Sequence, residues 1–217
     1  MIRFMRPAAI PAIALLAVVE ISAADYLMKP VKVLPIEEYP AQQTLAGVTV
    51  AADPCGTDEK SFTAFDVRDL NTRGYHPVHV VIQNASANYV NLRVRNIVLV
   101  TGDGSTLYAT SAAILVQDVF KGEFGDRSLK TRTEDRGASG KTGSPFIDFT
   151  TKELANRQLA PRETAAGFLF FFIQRPKGVA LAGAKLVLPD VIDDSTRKPV
   201  GVFTIPLDPA LQPQTAK

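Results

Sequence analysis

The sequence predicts a mainly β fold of antiparallel strands, and three observations carry that reading. The first is Gly167-Phe168-Leu169-Phe170-Phe171-Phe172-Ile173-Gln174. Laid out as a strand, it points Phe168, Phe170 and Phe172 to one face and Leu169, Phe171 and Ile173 to the other. At roughly 1.5–3 kcal/mol per large apolar side chain removed from water, neither face belongs in solvent. Such a strand is expected in the middle of a sheet, covered on both sides. The second observation is a series of closely spaced strand-like runs between His76 and Ala109, joined by short turns, which suits a sandwich or barrel and not βαβ units. The third is that only short stretches read as helical, enough for two or three accessory helices.

Taken in order, residues 25–46 read as an irregular lead-in, because Pro30, Pro35 and Pro40 interrupt it too often for a helix or interior strand. Gly47 to Ala51 is a first strand ended by Asp53-Pro54. Thr57 or Asp58 can cap a short helix through Phe65, with Phe62 and Phe65 on its docking side. Asn71 to Gly74 turns the chain into His76–Gln83, where Val78, Val80 and Ile82 alternate. In Tyr89–Arg95, Val90, Leu92 and Val94 face one way and Asn91, Arg93 and Arg95 the other, as in an antiparallel strand with one wet face. Ile97–Thr101 and Thr106–Ala109 flank the hairpin turn Gly102-Asp103-Gly104-Ser105.

Ser111 then caps a helix through Phe120, with Ile114, Leu115, Val119 and Phe120 as its buried stripe. Lys121 to Pro145 is rich in Gly, Ser, Thr and charge, and reads as a flexible loop of the length that is either functional or disordered. Ile147–Leu159 reads as helical, anchored by Phe149, Leu154 and Leu159. The Phe-rich strand follows, then Lys185–Leu188 with Val191-Ile192 as one further strand, irregular at Pro189, and then Val200–Ile205, before Pro206, Pro209 and Pro213 fray a tail at 207–217. There is no internal repeat and no second core's worth of apolar sequence, so one domain over 47–206 is expected.

The 217 residues carry 24 Lys and Arg against 22 Asp and Glu, a balance that argues against nucleic acid as an obligate partner. Arg3 and Arg6, the apolar run Ala8–Val19 and the small residues Ser22-Ala23-Ala24 read as a signal peptide over 1–24, cut before Asp25. The run is shorter than the roughly 20 residues a membrane helix needs, so contact with the membrane is expected only if this segment stays uncleaved. No Cys stands at the end of the run, beside the expected cleavage site, to take a lipid. The location predicted is therefore periplasmic or secreted.

Candidate sites are few. Cys55 stands alone in Asp53-Pro54-Cys55-Gly56-Thr57, a turn with no adjacent base, and has no disulfide partner. His76 and His79 invite a metal reading, but on a strand their odd offset sends them to opposite faces, with His79 expected near water. Asp135-Arg136-Gly137-Ala138-Ser139-Gly140-Lys141-Thr142 ends like a phosphate loop, yet it lacks the leading Gly and the strand-to-helix context. Glu37-Glu38, Asp190 and Asp193-Asp194 read as turn acids, and no Gly-x-Ser-x-Gly is present. Asn84-Ala85-Ser86 matches a glycosylation sequon. No metal site, cofactor or catalytic constellation is expected.

Three segments look like a family pattern: Tyr39-Pro40-Ala41 with Gly47-Val48-Thr49-Val50-Ala51, Gly74-x-x-Pro77-Val78-x-Val80-x-Ile82-x-Asn84, and Pro161-x-Glu163-Thr164-x-x-Gly167-Phe168-Leu169-Phe170. Together, over roughly residues 39–205, they resemble exported bacterial immunoglobulin-like domains of uncharacterised function, in which a Pro-x-Glu-Thr turn feeds a central strand. The resemblance implies an immunoglobulin-like antiparallel β-sandwich and transfers no catalytic residue. The function expected is a binding or scaffolding module whose partners are other envelope or surface proteins. Two alternatives stand beside it: an envelope enzyme with a site under the 121–145 loop, and a surface adhesin that uses that loop. The cations of the loop, Arg127, Lys130, Arg132, Arg136 and Lys141, are the candidate partner-binding residues.

Overall fold

The longest strands are the ones the sequence marks most heavily with β-branched and aromatic residues. The computed structural model describes residues 26–121, 144–174 and 180–212. The expected signal peptide, the five loop cations and the phosphate-loop-like run lie outside the described residues. Within them the chain is mainly β, with three antiparallel sheets and a few short helices.

The first sheet has the order β1-β2-β3-β8, from Gln42–Leu45, Val48–Pro54, Tyr75–Asn84 and Thr164–Phe172. β1 is a correction to the irregular lead-in. Its proline-rich approach hides a hairpin in which Leu45 pairs with Val48 and only Ala46 and Gly47 turn the chain. Both sit at positive φ (45° and 80°), the backbone that a two-residue hairpin matched to strand twist requires. The second sheet has the order β10-β4-β7, from Val191–Asp193, Val90–Leu92 and Arg157–Leu159. The third has the order β11-β9-β5-β6, from Phe203–Pro206, Lys185–Leu188, Val98–Val100 and Thr106–Tyr108.

β8 carries the Phe-rich run and is apolar on both faces, as expected. Leu169 and Phe171 enter a core shared with Val50, Val80, Leu92, Leu159, Leu186 and Phe203, which draws on all three sheets. Phe168 and Phe170 enter a second core under three helices: α1 (Asp58–Ala64), α2 (Ala112–Val119) and α3 (Pro145–Lys152). That core stacks Phe65 on Phe149 at 4.2 Å between centroids and sets Phe65 edge-on to Phe168 and Phe170. Two expectations about β8 fail. Phe172 is 41% exposed, because the strand outruns its cover. β8 also ends its sheet instead of lying inside it. Its outer edge is closed by single bridges, with the Thr110 amide donating to the Phe170 carbonyl and the Leu154 amide to the Phe168 carbonyl.

That edge contact interrupts the helix expected over 147–159. Ile147–Leu159 is not one helix: α3 stops at Lys152, Glu153 turns extended to bridge Phe168, and 157–159 become β7. Bridging to β8 at Glu153 and pairing with β4 at 157–159 outweigh helical periodicity there. The other caps are as read, with Thr57 Oγ1 accepting from the Lys60 amide and Ser111 Oγ from the Ile114 amide. On α2 the buried stripe is Ala112, Leu115, Val116 and Val119, and Ile114 is 58% exposed. Tyr89–Arg95 shortens to β4, because Val94–Asn96 winds into a 3-10 turn. The tail is more structured than its prolines suggest: Asp208–Leu211 forms α4, and Leu207 is fully buried.

Candidate functional site

The polar residues that β4, β7 and β10 do not commit to the core make an open groove of about 1010 Å³. Its geometry follows from strand register. Val90 and Leu92 turn inward, so Asn91 faces out, and Asn91 is paired with Gln158 on one side and Ile192 on the other. Around that row the groove gathers Arg93, Arg95, Arg157 and Arg197 against one lining carboxylate among the described residues, Asp194. A smaller depression of about 320 Å³ adjoins it, sharing Arg95 and Asn156.

The rim is held by one backbone-to-side-chain and one side-chain-to-side-chain hydrogen bond. The Val94 amide donates to Asn156 Oδ1 at 2.6 Å, and the Asn96 side chain donates to Asp190. The 3-10 turn that displays Arg93 and Arg95 is thus pinned on both flanks. Arg157 pairs with Glu163 at 2.7 Å and Arg197 with Asp194 at 2.9 Å; Asp194 also accepts from Asn91. Exposed ion pairs of this kind contribute about 0–1 kcal/mol, so a ligand can displace them at little cost. Arg93 and Arg95 are exposed and have no guanidinium partner among the described residues.

The other sequence candidates are structural. Cys55 is buried, and burial pushes its thiol up to about 12, far from a reactive thiolate at neutral pH. His76 and His79 sit on opposite faces of β3, as read, but His79 is not near water. It is 6% exposed, between Tyr39 and Phe168. Burial lowers the pKa of both rings, to about 4 for His76. Asn71 fixes the His76 tautomer: its Nδ2 donates to the Cys55 carbonyl and lies 3.0 Å from His76 Nδ1, which is therefore the acceptor. No group of three or more His, Cys, Asp or Glu among the described residues could hold a metal ion.

Asn84, the sequon residue, is fully buried. Its Nδ2 donates to the carbonyls of Asn88, Leu159 and Ala160, and its Oδ1 accepts from Ser86. It ties β3 to the Pro161-Arg162-Glu163-Thr164 turn, where the Arg162 amide donates to the Asn84 carbonyl and Glu163 accepts from the Ala160 amide. Asp193 folds its own turn, and the Ser195 hydroxyl, then Asn88, hold its carboxyl well below the usual range.

Two groups leave little trace in the sequence. The groove arginines left one trace, the Asn91-Arg93-Arg95 alternation, while Arg157 and Arg197 come from segments with no apparent link to it. The second group is Asp148, fully buried, which accepts from the Tyr26 hydroxyl at 2.7 Å and pairs with Lys152 at 2.7 Å. Its i,i+4 spacing to Lys152 on α3 was the available signal.

No family model matches the chain, and no curated protein does. Among solved structures it is similar to the yjhA protein of Bacillus subtilis, at 10% identity and a TM-score of 0.43, over 76% of this chain and 95% of that one. It is also similar to a Bacillus subtilis protein called a "putative lipoprotein (ycdA)", at 12% identity and a TM-score of 0.40, over 79% of this chain and 40% of that one. Both likenesses are shallow.

Proposed function

We propose that this chain is an exported binding or scaffolding module of the cell envelope, and that the groove over β10-β4-β7 is its binding face. The observation that carries the reading is the groove itself: four arginines around one carboxylate, on a rim fixed by Asn156 and Asp190. A surface this polar, held in place and only lightly self-paired, is suited to a partner. Export rests on the N-terminal pattern of Arg3, Arg6, Ala8–Val19 and Ser22-Ala23-Ala24. No helix among the described residues is long and apolar enough to cross a membrane.

The fold reading that goes with this is an immunoglobulin-like sandwich carrying a helical back layer. It is supported by the core that joins the inner face of the first sheet to strands of the other two. The helices over Phe168 and Phe170 are an addition to a plain two-sheet sandwich.

The test is cross-linking in cells followed by capture of the tagged full chain from envelope extracts, with N-terminal sequencing of the recovered protein. A start at Asp25 and envelope partners that are lost with Arg93→Gln/Arg95→Gln support the proposal. Recovery as a solitary monomer with hydrolase turnover overturns it.

A further inference from the structure

We infer that the β10-β4-β7 groove takes a carboxylate-rich polypeptide segment in extended form. This rests on the reading of the groove as the binding face, and names the chemistry of what it binds. Three features of the lining point to it.

The first is charge. Arg93 and Arg95 are exposed without guanidinium partners among the described residues, and there Arg157 and Arg197 hold only surface pairs, each through one guanidinium nitrogen. A planar guanidinium with free donors matches a carboxylate bidentately, and an incoming carboxylate can take the place of Glu163 or Asp194. The second is the amide content. Asn91, Asn156 and Gln158 line the same floor, and each side chain can both donate and accept, as a peptide backbone does. The third is what the lining lacks. Among the described residues, none that lines the groove is aromatic, so they offer no platform on which nucleobases could stack. Pyranose rings would also find no flat apolar face to lie on. The volume of about 1010 Å³ exceeds what a single small anion fills, so a chain with repeated carboxylates suits it better than a lone ion.

The rim supplies preorganisation. Asn156 holds the amide of Val94, between the two unpaired arginines, and the Arg93 amide donates to the Asp190 carbonyl. Little ordering of the turn remains to be done on binding.

The experiment is fluorescence anisotropy of a labelled Glu-Ser repeat peptide with the full chain. A Lys-Ser peptide, polygalacturonate and oligo-dT serve as rival probes. The expected result is binding of the Glu-Ser peptide, weakened about tenfold by Arg93→Gln/Arg95→Gln and also weakened by added salt. Both arginines are exposed, so circular dichroism and the urea midpoint of the double variant are expected to match the parent. If that variant misfolds, Arg197→Gln and mapping of a photo-cross-linking Glu-Ser peptide to residues 91–97 replace it. The inference is overturned if the Glu-Ser peptide does not bind, if the double variant binds it equally well, or if polygalacturonate or oligo-dT binds more tightly. Should envelope partners still be captured through Arg93 and Arg95 while the peptide fails, the binding face stands and its acidic-peptide chemistry falls. Partners indifferent to both arginines would remove the binding face itself.

Discussion

The Leu154 backbone closes against Gly167. Its amide donates to the carbonyl of Phe168 at 2.9 Å, and a Cβ built on Gly167 would lie 2.7 Å from the Leu154 Cα. Glycine at 167 is therefore required by a close approach of two backbones, and the approach shields the outer edge of β8. Gly167→Ala forces one backbone to move and is expected to destabilise the protein by about 1–3 kcal/mol. Urea unfolding measures this, and an unchanged midpoint would show that the edge contact is loose.

Phe170 is fully buried, with the rings of Phe65 and Phe149 each 5.6 Å away. Phe170→Ala removes that packing and is expected to cost about 3–5 kcal/mol. Phe170→Asp adds an unpaired buried charge and is expected to prevent folding. A soluble Asp variant with native circular dichroism would make the strand peripheral.

Stability should fall in mild acid. Burial depresses His76 to about 4 and lowers His79 as well, while an unfolded histidine titrates near 6.5. Between those values the unfolded chain holds more protons than the folded one, so stability rises with pH. The histidine contribution is present above about 6.5 and is lost as pH falls toward about 4. Asp58 is the charged group that opposes the shift at His76, and Asp53 at His79, where Lys60 adds to it. Urea midpoints across this range are expected to drop in acid, and His76→Gln to flatten the drop. An identical pH profile in the variant would contradict the assignment.

Cys55 should behave as a core residue. With its thiol buried and pushed up to about 12, a thiol-disulfide reagent at neutral pH is expected to label it only after urea unfolding. Rapid labelling of the native protein would place the sulfur at the surface.

Much of the fold is legible in local chemistry. Thr57 and Ser111 are caps whose acceptors are used as their spacing suggests, and Gly102–Ser105 turns β5 into β6. What stays hidden depends on long-range pairing. β1 follows three prolines and gains its identity only by lying along β2. Leu154 reads as a helix anchor, and it is buried, but its backbone is drawn to Phe168 instead. The groove is the extreme case. Arg93, Arg157 and Arg197 stand in separate segments, and only the pairing of β4 with β7 and β10 brings them to one surface. The loop cations that composition singles out, from Arg127 to Lys141, lie outside the described residues.

The proposed docking face is the groove over β10-β4-β7. Hydrogen–deuterium exchange of the full chain, free and bound to a captured envelope partner, tests it most directly. Docking there is expected to add protection over residues 90–96, 156–158 and 191–197, with the helices over Phe168 and Phe170 unchanged. Protection confined to α2 and α3, with the groove strands exchanging as in the free protein, would contradict it.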